Sequence, residues 1–214
     1  PGPSDLAVGD ETVVVGTSET MAEVVDHDVP FVRQAPFGNW DDPRQQDGCE
    51  ETSLLMALHW VQGKELTPEY ALEQIIAMSQ WEQELYGFYQ DTSVADTADL
   101  MRDYLGYYDI SVQYDVTIDD LKDLLRDGNV LLLPVAGKLL KNQYFLQPGP
   151  EHHLIVVRGF DEGTEEFITN DPGTIRGGGF RYSYEIIENA MRDYKSGYLE
   201  PLDEERTAVL IISP

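Results

Sequence analysis

One segment of this 214-residue chain, residues 46–58, reads Gln46-Asp47-Gly48-Cys49-Glu50-Glu51-Thr52-Ser53-Leu54-Leu55-Met56-Ala57-Leu58 and holds the only cysteine. Cys49 stands where a polar, glycine-containing loop changes to a run of leucines with helical spacing. A thiol in the first turn of a helix lies at the positive end of the helix dipole, which favours the thiolate and lowers the thiol pKa. The segment therefore predicts a nucleophilic cysteine, with a buried, inert cysteine as the alternative.

The composition is that of an acidic globular protein. Forty Asp and Glu residues against 14 Lys and Arg give a formal net charge of −26 at pH 7, and 42% of the residues are hydrophobic. That apolar fraction suffices for a sizeable core. A surface of this sign repels nucleic acid and anionic lipid, so we expect neither as a partner. The charge fits a protein adapted to high salt, where screening removes self-repulsion, and it equally fits an acidic secreted protein.

Membrane and targeting signals are lacking within the chain. Its apolar runs stay well below the roughly 18 residues that a transmembrane helix needs, and its N-terminus has no charged segment followed by an apolar one. We expect no membrane span and no signal peptide in this sequence. A secreted or cell-surface location is favoured, with any signal or anchor outside it. A single cysteine cannot form an intramolecular disulfide, so the compartment is left open.

The order of elements predicts a flexible acidic arm over residues 1–28 and one compact domain over residues 29–214. The arm holds one apolar patch, Val13-Val14-Val15, which is a candidate edge strand. A long loop follows over residues 34–46, and loops of that length inside a domain are often functional.

Helices are predicted in the first half of the domain and mostly antiparallel strands in the second, which is an α+β order. Periodicity and capping signals place three helices, over residues 49–62, from Thr67-Pro68 towards Leu85, and over 94–105. Strands are predicted over residues 110–114, 130–135, 153–160, 166–169 and 208–212, with a short helix over 121–126, a glycine-rich loop over 172–179, and a last helix from Tyr182 or Ser183 to about Tyr194.

Two further segments could act together with Cys49. His152-His153 stands directly before the apolar run Leu154-Ile155-Val156-Val157, and Asn170-Asp171-Pro172-Gly173 follows the next predicted strand. The start of the first strand of a hairpin lies beside the end of the second, so antiparallel pairing brings His153 close to Asp171. These are the base and the orienting carboxylate of a Cys-His-Asp triad. Each signal alone is weak, because a histidine before a strand is often a surface residue and Asp-Pro-Gly is a common turn.

With these residues in view, the chain resembles the papain-like cysteine peptidases of the bacteriocin-leader-processing type, in particular their stand-alone prokaryotic relatives. The matching segments are residues 29–34, 48–56, 120–128, 130–135, 153–161 and 170–172. The resemblance implies a papain-like fold of the α+β class, in which an N-terminal helical half packs on an antiparallel β-sheet. It also implies Cys49 as nucleophile, His153 as general base and Asp171 as the residue that orients the base.

The family also uses a glutamine upstream of the cysteine, whose side-chain amide forms the oxyanion hole together with the cysteine backbone N–H. Gln34 is the match, but residues 35–44 separate it from Cys49 by more than the family pattern leads us to expect. Gln45 and Gln46 are therefore rival donors. Of the two adjacent histidines, strand alternation lets only one face the cysteine, and the position of the apolar run favours His153.

The activity implied is hydrolysis of peptide bonds through a thioester acyl-enzyme, with a peptide or protein as substrate. No metal or cofactor is needed, and no cysteine–histidine pattern resembles a zinc site. The acidic surface favours basic or neutral peptides, and aromatic residues near Trp40, Trp81, Tyr86, Tyr144 and Phe145 are candidate cleft walls. Transglutaminase-like amide exchange, isopeptide cleavage and non-catalytic peptide binding on the same fold stay open as alternatives.

Overall fold

The structure, a computed structural model, describes residues 22–197 and 206–214. Its helices are α1 (Pro43–Gln46), α2 (Cys49–Val61), α3 (Pro68–Leu85), α4 (Val94–Asp103), α5 (Ile118–Arg126) and α6 (Tyr184–Ala190), with a 3-10 helix over Gly137–Leu140. Its strands are β1 (Val24–Asp26), β2 (Ile110–Tyr114), β3 (Val130–Val135), β4 (His153–Asp161), β5 (Glu166–Asn170), β6 (Gly178–Ser183) and β7 (Ala208–Ile212).

The strands of the described residues form one antiparallel sheet in the order β2-β7-β3-β4-β5-β6, and β1 also pairs with β4. Strand β3 pairs with the first half of β4, where Val135 lies opposite His153. Strand β1 pairs with the last residues of β4, where Asp26 lies opposite Gly159. A Cβ atom at Gly159 would lie 2.1 Å from the carbonyl oxygen of Val25, so this close approach of two strands requires glycine.

Helices cover both faces of the sheet. Side chains alternate along β3, so that Val130 and Leu132 pack with α2, α3 and α4, while Leu131 and Leu133 pack with α5 and α6. Helix α2 is buried from its first residue to His59, which explains why apolar residues lie on more than one of its sides. The predicted α+β class, with helices packed on an antiparallel sheet, is confirmed.

Two segments differ from their predictions. The loop over residues 34–46 ends in helix α1, which Pro43 begins and Asp42 caps by accepting the Arg44 backbone N–H at 3.1 Å. The predicted last helix is too long: Ser183 is its N-cap and Tyr184 its first residue, close to the predicted start, but it ends at Ala190 and not near Tyr194. The residues before it form β6, which starts inside the glycine-rich segment and pairs with β5.

The N-terminal arm falls largely on residues 1–21, which lie outside the described residues, as does Val13-Val14-Val15. The division into an arm and a domain at residue 28 therefore stays a prediction, while β1 attaches Val24–Asp26 to the sheet. Among the helices of residues 22–197 and 206–214, none combines the length and the apolar content needed to cross a lipid bilayer.

Candidate active site

Cys49 is the first residue of α2, directly after the tight connection that joins α1 to α2. A Cβ atom at Gly48 would lie 2.7 Å from the Arg44 carbonyl oxygen and 3.0 Å from Cγ2 of Ile75, so glycine lets this connection pack against α3. Only 4% of Cys49 is exposed, yet it contributes to the wall of a cleft of about 680 Å³. The cysteine is thus both almost buried and next to an open space.

Four segments form the other walls of the cleft: the one before α2, the loop between α3 and α4, the loop after the 3-10 helix, and the turn after β5. Trp40, Tyr144 and Phe145 line it, as predicted for the aromatic residues of these loops. Trp81 and Tyr86 instead pack edge to face with ring centroids 5.5 Å apart, in a cluster with other aromatic rings. Across the part of the chain that the structure describes, no group of three or more His, Cys, Asp or Glu side chains is arranged to hold a metal ion.

His153 and Asp171 meet at one end of the hairpin formed by β4 and β5. His153 begins β4 and lines the cleft, and its Nε2 lies 2.8 Å from Oδ1 of Asp171, which follows β5. Phe145 packs edge-on against the imidazole with ring centroids 5.5 Å apart. On the other side, a Cβ atom at Gly173 would come within 3.1 Å of Cε1 of His153, so the ring has little room to turn.

Asp171 is fully buried and accepts several further hydrogen bonds. Its Oδ2 accepts the Tyr182 hydroxyl at 2.6 Å and the Asn142 amide at 3.2 Å, and its Oδ1 accepts the Gly173 backbone N–H at 2.9 Å. Burial alone would raise the pKa of Asp171, but the charge of His153 and these hydrogen bonds outweigh burial and lower the pKa. An ionised Asp171 places the imidazole proton on Nε2, which leaves Nδ1 of His153 as the proton-accepting nitrogen.

The Cys49 thiol donates its hydrogen bond to Oε2 of Glu50, the next residue of α2, at 3.0 Å. Burial raises the pKa of the Cys49 thiol well above its usual value, and the Glu50 carboxyl group raises it further, while a backbone hydrogen bond with Leu154 lowers it. The prediction that the helix dipole lowers this pKa is therefore wrong. The dipole acts on a thiol that is out of water and beside an acidic side chain, and both of these favour the neutral form.

Glu50 belongs to a second buried network that the sequence did not predict. Its Oε1 accepts the Tyr194 hydroxyl at 2.7 Å, and burial raises its pKa to about 7. The Tyr194 ring stacks on His152 with centroids 4.7 Å apart, and Nδ1 of His152 lies 3.0 Å from Oδ2 of Asp91. Burial lowers the pKa of His152, but the hydrogen bond and charge of Asp91 prevail and raise it. Each of the two adjacent histidines thus has its own aspartate.

The three candidate glutamines lie in different settings. Gln34 and Gln46 line the cleft, and Nε2 of Gln34 donates to the Gln46 backbone carbonyl at 2.6 Å. Within the described ranges, Oε1 of Gln34 is buried and has no hydrogen-bond donor. The Gln45 amide donates to Asp42 at 3.3 Å. The structure thus brings Gln34, Cys49 and His153 to one cleft, and the roles of these residues stay predictions.

A family model described as the Peptidase_C39 like family matches residues 26–200. The chain belongs to this family. A crystal structure from Bacillus anthracis, provisionally described as a C39-like peptidase, superposes on this C39-like protein with a TM-score of 0.56, covering 90% of this chain and 98% of that chain at 16% sequence identity. At that identity the likeness supports the fold. Among curated proteins, none matches this chain.

The resemblance to papain-like peptidases of the C39 type is therefore confirmed for this C39-like protein. Two of its site residues had no signal in the sequence. Asn142 lies in a loop far from Asp171 along the chain, and Tyr182 was assigned to the start of a helix instead of a strand beside β5. Pairing places Tyr182 opposite Phe167, near the start of β5, so even a prediction of β6 would not have identified its hydroxyl as a partner of Asp171.

Proposed function

We propose that this C39-like protein is a cysteine peptidase that hydrolyses peptide bonds with Cys49 as nucleophile, His153 as general base and Asp171 as the orienting carboxylate. The observation that carries the proposal is the 2.8 Å hydrogen bond between His153 and the buried Asp171, at a cleft that also contains Cys49. A histidine that is oriented in this way, at a cleft that a thiol also lines, supports nucleophilic acyl transfer. Membership of a peptidase family supports the same conclusion.

In the proposed mechanism, Nδ1 of His153 takes the thiol proton as the Cys49 sulfur attacks the carbonyl carbon of the scissile bond. The backbone N–H of Cys49 and the side-chain amide of Gln34 donate to the oxyanion. Collapse of this intermediate breaks the C–N bond, and His153 gives its proton to the leaving amine. A water molecule, deprotonated by His153, then attacks the thioester, so that the carboxylic acid leaves and the thiol is restored.

Turnover of a mixed peptide library by the wild-type protein and by Cys49→Ala tests this proposal. We expect cleavage by the wild type only, with products that mass spectrometry identifies. Both proteins should be assayed from low to molar KCl, because the high negative charge makes folding sensitive to salt. Circular dichroism should show that both proteins are folded. Equal inactivity of the two folded proteins at every salt concentration would rule out proteolysis.

A non-catalytic peptide-binding domain is the second candidate, and one observation favours it: the Cys49 thiol is buried and donates to Glu50. On this hypothesis, wild type and Cys49→Ala bind the same peptides and neither cleaves them. Acyl transfer to an amine is a third possibility on the same residues, because an amine can replace water in attacking the thioester. Adding a primary amine to the library assay would reveal it as amide products in place of acids.

A further inference from the structure

Glu50 and His153 compete for the same proton. A thiol has one hydrogen, and in this structure Cys49 donates it to Oε2 of Glu50 at 3.0 Å. The same hydrogen cannot then be donated to Nδ1 of His153, which is the transfer that peptide attack requires. Glu50 is itself only 1% exposed, so water does not compete with the thiol for this oxygen.

The Glu50 side chain is fixed from the opposite side. Its other oxygen accepts the Tyr194 hydroxyl at 2.7 Å, and the Tyr194 ring stacks on His152, which bonds Asp91. Glu50 is therefore anchored through residues that are distant in the chain, and its direction towards the sulfur does not depend on α2 alone. The titratable groups that face or influence it come from α2, α3 and three surrounding loops: Cys49, Glu51, Glu82, Asp91, Tyr194 and His152.

We propose that Glu50 is a positioning residue that holds the Cys49 thiol away from His153 in the free protein, and that peptide attack begins when the thiol leaves Glu50. The proposal rests on the proposed peptidase function, because it assigns Cys49 to His153 in the reacting state. Rotation about the Cα–Cβ bond of Cys49 releases the thiol, and so does protonation of Glu50. The pKa of Glu50, raised by burial to about 7, makes that protonation accessible near neutrality.

Alkylation of the single cysteine by iodoacetamide measures the thiol directly, without a peptide substrate. In this reaction the S–C bond forms, iodide leaves and the thiol proton is released. Glu50→Gln replaces the anionic acceptor by a neutral amide of the same shape. We expect labelling of this variant to be faster than wild type by about tenfold at about pH 8, one unit above the Glu50 pKa of about 7, and by only about twofold at pH 7, where about half of Glu50 is already protonated.

Two variants support the comparison. Glu51→Gln is the matched control: Glu51 is equally buried on the same helix, but its Oε1 accepts from Ser79 and not from Cys49, so its labelling profile should equal that of wild type. Tyr194→Phe removes the donor that fixes Glu50, and we expect a smaller gain in labelling than for Glu50→Gln. This variant keeps the proposal testable if Glu50→Gln fails to fold. Circular dichroism establishes which variants are folded.

A wild-type pH profile of labelling in the folded Glu50→Gln variant would overturn the proposal, and so would an equal gain in Glu51→Gln. The double variant Glu50→Gln with His153→Ala provides the second criterion. We expect it to lose the gain, because the released thiol then has no imidazole to pair with. A gain that survives in the double variant would mean that Glu50 acts only through its charge, and the proposal would be wrong. Failure of the peptidase proposal appears separately, as absent peptide turnover.

Discussion

Asp171 gathers four hydrogen-bond donors although none of its surface is exposed. Asp171→Asn keeps the size of the side chain but replaces one acceptor oxygen by an NH2 group. This NH2 group would face the groups that now donate to the carboxylate. The amide cannot hold the His153 proton on Nε2, so Nδ1 is no longer reliably free to accept. We expect kcat/KM for a cleaved peptide to fall, by up to ~10⁴-fold, which is the loss known for the same change in a Ser-His-Asp triad.

Tyr182→Phe is the matched control for this variant. It removes one donor from the same carboxylate and leaves the bond between Asp171 and His153 in place. A lost hydrogen bond of this kind costs on the order of 1 kcal/mol, so kcat/KM should fall far less than in Asp171→Asn. If Asp171→Asn and Tyr182→Phe had similar activities, Asp171 would be a structural residue and not an orienting one.

The sequence allowed Cys49, His153 and Asp171 to be predicted because their positions follow from local patterns: a helix start, a strand start and the end of a hairpin. Glu50 and Tyr194 could not be predicted as partners. They are 144 positions apart, and neither the apolar period nor any turn signal relates them. The effect of Glu50 on the thiol is a matter of side-chain burial and direction, which the dipole argument from sequence does not include.

At the scale of elements, the contact between α2 and α3 contains two further buried carboxyl groups, Glu51 and Glu82. Burial raises the pKa of Glu51 to about 8, and the nearby Glu50 carboxyl group adds to this rise. Burial also raises the pKa of Glu82, and there the Glu51 carboxyl group adds to the rise. A protonated Glu82 can donate to Glu51, and we expect a proton shared in this way to stabilise the contact. In the folded protein, these two buried carboxyl groups therefore favour their protonated form.

The free energy of unfolding should therefore fall as pH rises. The unfolded chain ionises these groups near 4.5, whereas the folded protein keeps their protons to about pH 8, so the folded state binds more protons in between. We expect the free energy of unfolding of Glu82→Gln to fall less than that of wild type between about pH 5 and about pH 8, by on the order of 1–3 kcal/mol. Urea unfolding at each pH measures this difference. Glu84→Gln, on the exposed side of α3, is the matched control. An identical pH dependence in both variants would contradict the shared proton.

Strands with continuous apolar runs were predictable to the residue. Strand β7 has the predicted bounds 208–212, and β3 has the predicted bounds 130–135, because both are buried along their whole length. Strand β6 was missed since it begins with two glycines, which are typical of loops, and only the pairing with β5 makes it a strand.

At the scale of the whole molecule, a net charge of −26 implies strong self-repulsion in dilute buffer. Several basic side chains of the described residues form ion pairs, as in Arg126 with Glu23, Asp123 and Glu162. Exposed ion pairs contribute little to stability, so salt should screen more repulsion than attraction. We expect the urea midpoint to rise between about 0.1 M and about 1 M KCl, over which the Debye length falls from ~10 Å to ~3 Å.

Repeating the measurement in sodium chloride and in choline chloride at matched ionic strength separates screening from specific cation binding. If screening is the cause, both salts should shift the urea midpoint as much as KCl does. A protein at least as stable in dilute buffer as in molar KCl would refute the hypothesis of adaptation to salt.

The composition could predict the net charge, whereas the order of the strands could not be derived from it. That order depends on which apolar faces meet α2 and α5, and this is decided by packing across the whole chain.

The adjacent histidines at the start of β4 create an ambiguity for the folding chain. A slip of one residue between β3 and β4 would bring His152 to the position of His153, and would turn the apolar side chains of β4 to the wrong faces. In the native alignment each imidazole meets a different aspartate, Asp91 in one loop and Asp171 in another. The two bonds together disfavour the slipped alignment, in which at least one aspartate would lose its histidine. Two carboxylates from different loops thus determine which of the two histidines lies at each position.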